Sequence, residues 1–520
     1  MGAANRVAVN TGILYARMAI TVFISLYATR LVLDALGAED YGIFNVVGGA
    51  IGMLSFLNAA MAGATQRFMS YAHGQGDEDK QKTIFNVSIL LHLIIAFIMV
   101  LLLEGAGYFL FGGILKIDPD RLKVAKLIYH FLVFSTFIKV ISVPYDAVIN
   151  AHENMLFVAI IGIIEAIGKL SIALYVTNTG MDRLGSYGFL MAALAVFLML
   201  VLRVYCHKKY DEVSINIRKY YDKMLFKEMT GYAGWTLLNS FASLVSMQGI
   251  TIVLNSFFGV IVNAAQGVAN QISGQLMVFS NTMLKALNPV IDKSEGGKNR
   301  EKMINFALTG TKFSFLLFSF FAVPFILEAK YILNLWLKDV PPWAILFCRL
   351  EIIRNLIEQL FFAVQSGIRA EGRIRNFSIY KSISYALPLP ISIILFSLGF
   401  PPYFSYISLI VCWSIGGLFI VVYFAYKNLD LSIVKYVKNV LSPSLTLFSI
   451  TSFVGVLPFF VMESSFLRLI LVGIFTSISF LLSFWFVAIN LKEKELILKM
   501  LERLREKFNE SFWSKLLKTH

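Results

Sequence analysis

Charge is scarce in this chain: Asp, Glu, Lys and Arg together make up 15% of its 520 residues, against roughly 25% in a soluble domain. With 58% of residues hydrophobic and a mean hydropathy of +0.72, most of the chain must sit in lipid, and an ordinary soluble domain is excluded. Cysteine is as sparse. Cys206, Cys348 and Cys412 are far apart, with no C-x-x-C and no Cys/His pairs at zinc-site spacing, so neither a disulfide framework nor a zinc site is indicated and all three read as small apolar fillers. Also missing are the G-x-x-x-x-G-K-[ST] loop, the G-x-S-x-G elbow and H-E-x-x-H, which excludes a built-in ATPase and the hydrolase and metalloprotease sites those motifs mark. No metal, cofactor or catalytic residue is expected, and any work must draw on a gradient or on a substrate's own concentration difference.

A cleavable leader is not expected either, because Arg6 is followed by an amphipathic stretch and a full-length span running to Leu33, with no small-residue cleavage site before it. Arg6 also occupies the position where a myristoylation pattern needs Ser or Thr. The formal charge of +14 does not point to nucleic acid, since the basic residues lie between apolar runs and in the tail rather than on one compact domain.

What is present is a succession of apolar runs, each close to the ~20 residues that cross a bilayer as a helix. They predict an all-α polytopic membrane protein of about fourteen spans, near 10–33, 41–64, 84–111, 124–149, 155–177, 184–206, 230–257, 262–290, 307–328, 343–367, 377–399, 403–426, 438–461 and 467–489. The corresponding domains are an N-terminal six-helix lobe (1–206), a charged connector (207–228), a C-terminal six-helix lobe (229–427), two additional spans (428–490) and an amphipathic tail (491–520). Lys and Arg concentrate on one set of loops. The connector and the span end before it carry Arg203, Lys208, Lys209, Arg218, Lys219, Lys223 and Lys227, whereas the opposite turns at Gly37-Ala38-Glu39-Asp40, Phe257-Phe258-Gly259 and Phe400-Pro401-Pro402 have none. The positive-inside rule therefore places both termini in the cytoplasm of a bacterial cytoplasmic membrane.

Sliding the chain on itself by about 222 positions aligns Gly37 with Gly259, Gly52 with Gly274, Met61 with Met283, Gly74 with Gly296 and Lys80 with Lys302. At a slightly different offset Ile149-Asn150-Ala151-His152-Glu153 matches Ile368-Arg369-Ala370-Glu371-Gly372. Six spans per repeat return the chain to its starting side. The two lobes are thus expected to share one orientation, related by a pseudo-two-fold axis along the membrane normal with a cleft between them. In the tail, Ile497, Leu501, Leu504 and Phe508 share one helical face, which suits a helix on the inner leaflet or one bound to a partner.

Charge at the centre of a span costs about 2.5–3.5 kcal/mol on the insertion scale, so every such residue needs a partner or water. In the eighth span Asn263, Gln266, Asn270, Gly274, Asn281, Lys285 and Asn288 fall on one stripe at 100° per residue. Asn10, Arg17 and Thr21 share a face of the first span, Ser135, Lys139, Ser142 and Asp146 one of the fourth, and Glu165 and Lys169 sit four apart in the fifth. Glu351, Arg354, Glu358 and Gln365 line the tenth. Glu165 with Lys169, and Glu351 with Arg354 and Glu358, have two readings: internal ion pairs that fix helix packing, or ion-coupling groups together with Asp146. Arg17, Lys139 and Lys285 lack an acidic neighbour at helical spacing on the membrane side, although Asp146 lies two turns from Lys139. They are expected either to snorkel or to line a cationic cavity for an anionic head group. Arg30, Asp292, Lys312 and Arg349 lie nearer helix ends and are expected to snorkel. Asp118-Pro119-Asp120 looks like a metal-binding pair but is one short turn without a domain around it, and His92 and His130 read as helix-packing residues.

The stretch Leu31-Val32-Leu33-Asp34-Ala35-Leu36-Gly37-Ala38-Glu39-Asp40-Tyr41-Gly42 resembles the L-x-x-x-L-G-x-x-x-Y/F-G turn of polysaccharide exporters in the multidrug, oligosaccharidyl-lipid and polysaccharide exporter superfamily. Tyr232-Ala233-Gly234-Trp235 and Gly267-Val268-Ala269-Asn270-Gln271-Ile272 add to that resemblance. It covers about the first 430 residues at the level of helix count and repeat. It implies a flippase whose lobes rock to carry polyprenyl-diphosphate-linked O-antigen, capsule or exopolysaccharide units outward. Arg17, Lys139, Lys169 and Lys285 are placed to hold the substrate, and Asn10, Thr21, Asn263, Gln266, Asn270, Asn281 and Asn288 to line the cavity. Implied partners are the lipid-linked oligosaccharide, membrane lipids, H⁺ or Na⁺ and glycan-polymerising machinery. Two other functions compete: an ion-coupled multidrug exporter of the same superfamily, and a membrane glycan polymerase or ligase, which the short outer loops disfavour.

Overall fold

The computed structural model describes residues 3–114, 117–337, 339–491, 493–495, 497, 498 and 502. Most of the expected amphipathic tail, including Leu501, Leu504 and Phe508, lies outside the described residues. Lipid offers the backbone no hydrogen-bond partner, so each apolar run satisfies its own N–H and C=O groups as a helix. Polar residues in the turns set where helices start. Asp77 accepts from Lys80 N, Asn154 from Phe157 N, Asp182 from Gly185 N and Asn299 from Lys302 N. Asp118 of the Asp118-Pro119-Asp120 turn accepts from Asp120 N, with Pro119 in the first turn; these residues cap a helix.

The first six rods are α1 (Ala3–Met53), bent at Gly37 and continued by α2 (Ser55–Gln75), then α3 (Glu78–Phe109), α4 (Pro119–Ala151), α5 (Met155–Asn178) and α6 (Arg183–Lys209). A short α7 (Ile217–Tyr220) lies in the connector. There follow α8 (Lys223–Phe258), α9 (Val260–Gly296), α10 (Arg300–Trp336), α11 with α12 (Ala344–Gln359 and Phe362–Glu371), α13 with α14 (Arg375–Ala386 and Pro388–Ser397) and α15 with α16 (Phe404–Leu409 and Gly416–Leu429). The last pair is α17 with α18 (Ile433–Tyr436 and Ser442–Val456) and α19 (Phe466–Ser483), which packs beside α10. Within the first group α1 packs on α5 and α4 on α3 and α6; within the second, α9 packs on α10 and α11, and α8 on α13.

Among the described residues eleven helices are long and apolar enough to cross a membrane. The expected count of about fourteen included three more, polar or interrupted rods that do not meet that criterion: the segment of α1 beyond Gly37, broken at Leu54 before α2; α9, with its amide-rich face; and α11, broken at Leu360 and Phe361 before α12. Their polarity has a positional cause. α2 and α9 pack against each other between the two groups, and α11 packs on α9, so these rods face protein and water more than lipid. The outer surface carries the opposite pattern, with Phe23, Leu101 and Phe419 exposed where acyl chains belong.

Two features display the internal repeat. Gly37 and Gly259 adopt nearly the same backbone conformation, φ 73° and ψ 173° against φ 79° and ψ −178°, a region that strongly favours glycine, and each turns the chain between paired rods. The caps Asp77 and Asn299 hold equivalent places, each bonding the amide three residues on. The connector is docked rather than loose: Tyr210 and Val213 enter a core with Phe85, Tyr145 and Met229, and Asn86 bonds Ser214 O and Asn216 N, each at 2.8 Å.

Three of the residues expected to snorkel do otherwise. Lys312 is buried and donates to Glu493 Oε2 at 2.6 Å and Ala488 O at 3.0 Å. Arg349 donates to Ile326 O and Leu327 O, where Glu328 interrupts α10, and Asp292 is buried. Each found a protein partner or enclosure before it reached water. Arg30 is exposed. His92 is buried and bonds Ser88 O at 2.9 Å, and His130 meets Glu104, as helix-packing residues do.

Candidate functional site

Three helices of the first group and one of the second bring their charges to one place. Arg17 on α1 lies against Gly162 of α5, where a side chain of any size would overlap its guanidinium. One turn further along α5, Glu165 pairs with Lys169 at 2.7 Å. Arg17 and Lys139 of α4 lie within electrostatic reach of the same Glu165. From the second group, Lys285 of α9 faces Asp146, Arg17 and Glu165. Lys139, Asp146 and Lys285 keep substantial exposed surface although Asp146 and Lys285 lie deep within the protein envelope. Accessible surface on charges at depth is what contact with water rather than hydrocarbon gives, because a charge sealed in hydrocarbon or protein would have none.

This arrangement corrects one sequence expectation. Arg17, Lys139 and Lys285 have no acidic partner on the membrane side of their own helices, but Glu165 and Asp146 stand opposite them from neighbouring rods. The cations are therefore partly compensated. Among the described residues, four positive side chains, Arg17, Lys139, Lys169 and Lys285, are thus grouped with the two carboxylates of Asp146 and Glu165.

The amide stripe of α9 divides. Asn270 and Asn281 are exposed on the side of Lys285 with Gly267 and Gly274, while Gln266 is buried at 4% exposure and Asn263 and Asn288 are half-buried. Thr21 is half-buried and bonds its own helix at Met18 O. Asn10 serves a different place, donating to Glu153 O at 3.2 Å.

Glu351, Arg354 and Glu358 are not brought to the chamber. Arg354 forks onto Glu351 at 2.6 and 2.9 Å and reaches Glu358 at 2.6 Å, while Asn355 and Ser273 complete a buried network and Ser414 donates to Arg354 O. Trp413 covers the guanidinium face. A bidentate, stacked arginine whose acceptors come from its own helix is the arrangement expected of a packing device.

The two helix groups meet along a seam. Among the described residues, the hydrogen bonds, ion pairs and ring contacts that join them run from the level of Phe56 and Phe241 to the side that carries the basic loops. Tyr15 OH donates to Phe279 O at 2.9 Å, Thr282 approaches Met18, and Phe68 packs edge-on against Tyr232. Nearer the basic side Arg67 donates twice to Ala370 O and Lys293 pairs with Glu153 at 2.8 Å. At the bottom Gly74 and Gly296 let the two backbones touch. The seam is shut on the basic side, with no such link on the other.

Beside it lies a histidine cluster. The rings of His73 and His152 are 4.3 Å apart, His152 stacks on Tyr210 and bonds Glu212 at 2.5 Å. Burial pushes the His73 imidazole below its ordinary value, with Lys293 and His152 adding repulsion. Burial works to raise the Glu212 carboxyl, but its hydrogen bonds to His152 and to its own backbone, together with the nearby His152 and His73 rings, hold it below the ordinary range.

Sequence reasoning passed over Glu153, Arg67 and Lys293, which lie just beyond the ends of the expected spans, where charge is common, and Lys381. Lys381 is 1% exposed, between the rings of Phe361 and Tyr385 at 4.6 and 4.9 Å. Its signal was a lone lysine in an apolar helix flanked by aromatic residues.

A polytopic helical bundle in two groups, joined along one half of their junction and gathering charged side chains of both groups at depth, has the architecture of a membrane transporter. Its fold is that of the MATE transporters of the MOP superfamily. The chain matches the MatE family over residues 15–175. "Crystal structure of MATE in complex with MaD3S" superposes with a TM-score of 0.71 at 15% identity, covering 82% of this chain and 96% of that one. "Outward-facing conformation of a multidrug resistance MATE family transporter of the MOP superfamily" gives 0.69 at 14% identity, covering 83% and 97%. In sequence the chain is similar to a "Putative O-antigen export protein" of Yersinia pseudotuberculosis, 27% identical over 117 residues, 21% of this chain. The match spans about a quarter of that relative's length, 26%.

Proposed function

We infer that this protein is a flippase for polyprenyl-diphosphate-linked oligosaccharide repeat units of O-antigen, capsule or exopolysaccharide, working by alternating access. The observation that carries the reading is the excess of cations over carboxylates in the chamber, where Arg17, Lys139, Lys169 and Lys285 surround Asp146 and Glu165. Ion pairing strengthens as the dielectric falls, so a diphosphate carrying about two negative charges is held there more firmly than in water. The exposed amides Asn270 and Asn281 supply donors and acceptors to sugar hydroxyls, and the polyprenyl tail remains in lipid. The weak similarity to an O-antigen export protein supports the same substrate class.

In this reading the basic side faces the cytoplasm of a bacterial cytoplasmic membrane, both termini included, because basic loops are retained there. The lobes are 1–206 and 229–427, with 428–490 as an added pair, and the structure corresponds to a state open to the outside. Asp146 and Glu165 are the groups placed to exchange H⁺ or Na⁺ as the head group arrives and leaves.

The reading as a multidrug exporter is weaker on charge. Organic cations would meet a cationic chamber, and Glu351 and Glu358, which would bind them or the coupling ion, are held by Arg354. Replacing Arg17 and Lys285 together by Ala tests the flippase reading in a deletion strain: surface glycan should vanish while protein level and drug sensitivity stay unchanged. Normal surface glycan in the double variant would remove these side chains from the mechanism.

A further inference from the structure

Among the described residues, two cations at the foot of the seam make their hydrogen bonds and ion pairs to oxygens of the opposite helix group, Arg67 also lying over the rings of Phe68 and Tyr71 of its own helix. Lys293 Nζ, on α9, meets Glu153 Oε1 of the first group at 2.8 Å. Arg67, on α2, donates through Nε and Nη2 to Ala370 O of the second group at 3.1 and 2.8 Å. Glu153 is buried, with a side-chain exposure of 4%, and also lies 3.6 Å from Arg6 Nε. Its backbone has φ 56°, an uncommon conformation for a side-chain-bearing residue, and Asn10 fixes its carbonyl.

Separating the two groups breaks both links at once. Glu153 remains with Arg6 and Asn10 on the first group. Asp292, which faces both Arg67 and Arg369, keeps Arg369 on its own side. Lys293 and Arg67 are left without those acceptors, on opposite walls of a newly opened mouth. Unpaired cations facing each other across a narrow, partly desolvated gap form an anion site. Lys293 also lies eight residues from Lys285 on the same helix, about 12 Å at 1.5 Å per residue, so the mouth leads to the chamber.

We propose that Arg67 and Lys293 form a mouth site for a diphosphate head group when the basic side opens, with Glu153 and the Ala370 carbonyl as its built-in substitutes when that side is shut. The identity of the head group rests on the flippase reading, while the site is separate from the chamber. Closure returns Glu153 to Lys293, displaces the head group, and passes it toward Lys285 and Arg17. The seal and the substrate compete for the same two cations, so the mouth shuts only as the head group leaves them.

The test is binding of inorganic pyrophosphate and of farnesyl diphosphate to the purified full chain in detergent. Glu153→Gln frees Lys293 and should tighten pyrophosphate binding about tenfold, by removing the cost of competing with the shut state. Gly74→Val, which pries the seam apart by bulk alone, should do the same. Adding Lys293→Met or Arg67→Met should abolish the gain in either background, and Lys293→Arg should keep it. Farnesyl diphosphate should follow the same pattern, which assigns the site to the diphosphate rather than to the prenyl chain. Equal binding by the parent and both seam variants, with melting temperatures showing them folded, overturns the proposal. So does a gain that survives Lys293→Met, or tightening seen with farnesyl diphosphate alone. Lys285→Met separates the two ideas: in the Glu153→Gln background it should leave the tightened pyrophosphate binding intact while abolishing glycan export. Retained export there would defeat the chamber reading and leave the mouth site standing.

Discussion

Gly74 and Gly296 occupy equivalent places in one reciprocal contact: Gly74 lies against the backbone carbonyl of Lys293, and Gly296 against that of Tyr71. Each residue of one group touches the counterpart of its own neighbour in the other, which is how a two-fold axis presents itself at an interface. A Cβ at either glycine would overlap backbone rather than the tip of a mobile side chain, so the contact cannot absorb it by a rotamer change.

Gly74→Val should therefore shift the transporter toward a state open on the basic side. Ser70 lies buried one turn away, and a cysteine placed there should react with a membrane-impermeant maleimide at least about fivefold faster in the Gly74→Val background, if the shut fraction falls correspondingly. An unchanged rate would show that the glycine contact does not seal the junction.

Arg354→Leu should be among the most damaging single changes to stability. It leaves Glu351, 2% exposed, and Glu358 without their counter-charge, and stripping one partner from a buried ion network costs about 3–5 kcal/mol. Replacing all three charges with apolar residues of similar volume should cost much less, because the desolvation penalty disappears with them. Thermal unfolding in detergent orders the two variants, and equal losses would contradict a packing role.

Much of the fold was legible because lipid imposes two strong constraints, apolar length and charge asymmetry. The repeat was legible through glycines, since Gly37, Gly259, Gly74 and Gly296 are required by backbone geometry rather than by function. The chamber was half legible. Helical periodicity reports which residues share a face of one helix, so Arg17, Lys139 and Lys285 could be singled out, but not that Glu165 and Asp146 would stand opposite them from other rods. Asn10 and the Glu351, Arg354, Glu358 set lay on polar faces for a different reason, one tied to Glu153 and the other locked within its own helix.

Acid should loosen the connector in two stages. His73 is held below its ordinary value of 6.5, so the unfolded chain binds a proton first as pH falls through 6.5, and stability present above that value is lost down to the folded value. Glu212 is held below 4.5, so its contribution is present above 4.5 and is lost as pH falls from there through its folded value. Amide hydrogen exchange at Tyr210 and Val213 should accelerate in both windows. His73→Gln should remove the first stage and Glu212→Gln the second; a single stage unaffected by either substitution would exclude these two groups as its cause.

Gly162 controls where Arg17 points. The atoms nearest a Cβ at this position belong to the guanidinium end of Arg17, a flexible group that can yield, so Gly162→Ala should cost no more than the lower end, about 1 kcal/mol, of what overpacking costs. It should nevertheless push Arg17 out of its place beside Glu165 and reduce glycan export nearly as far as Arg17→Ala does. Combining the two substitutions should then add almost nothing, because both remove the same positive charge from the chamber, and non-additivity of that kind identifies residues acting as a unit. Full export by Gly162→Ala at normal protein level would mean that the exact station of Arg17 is immaterial to transport.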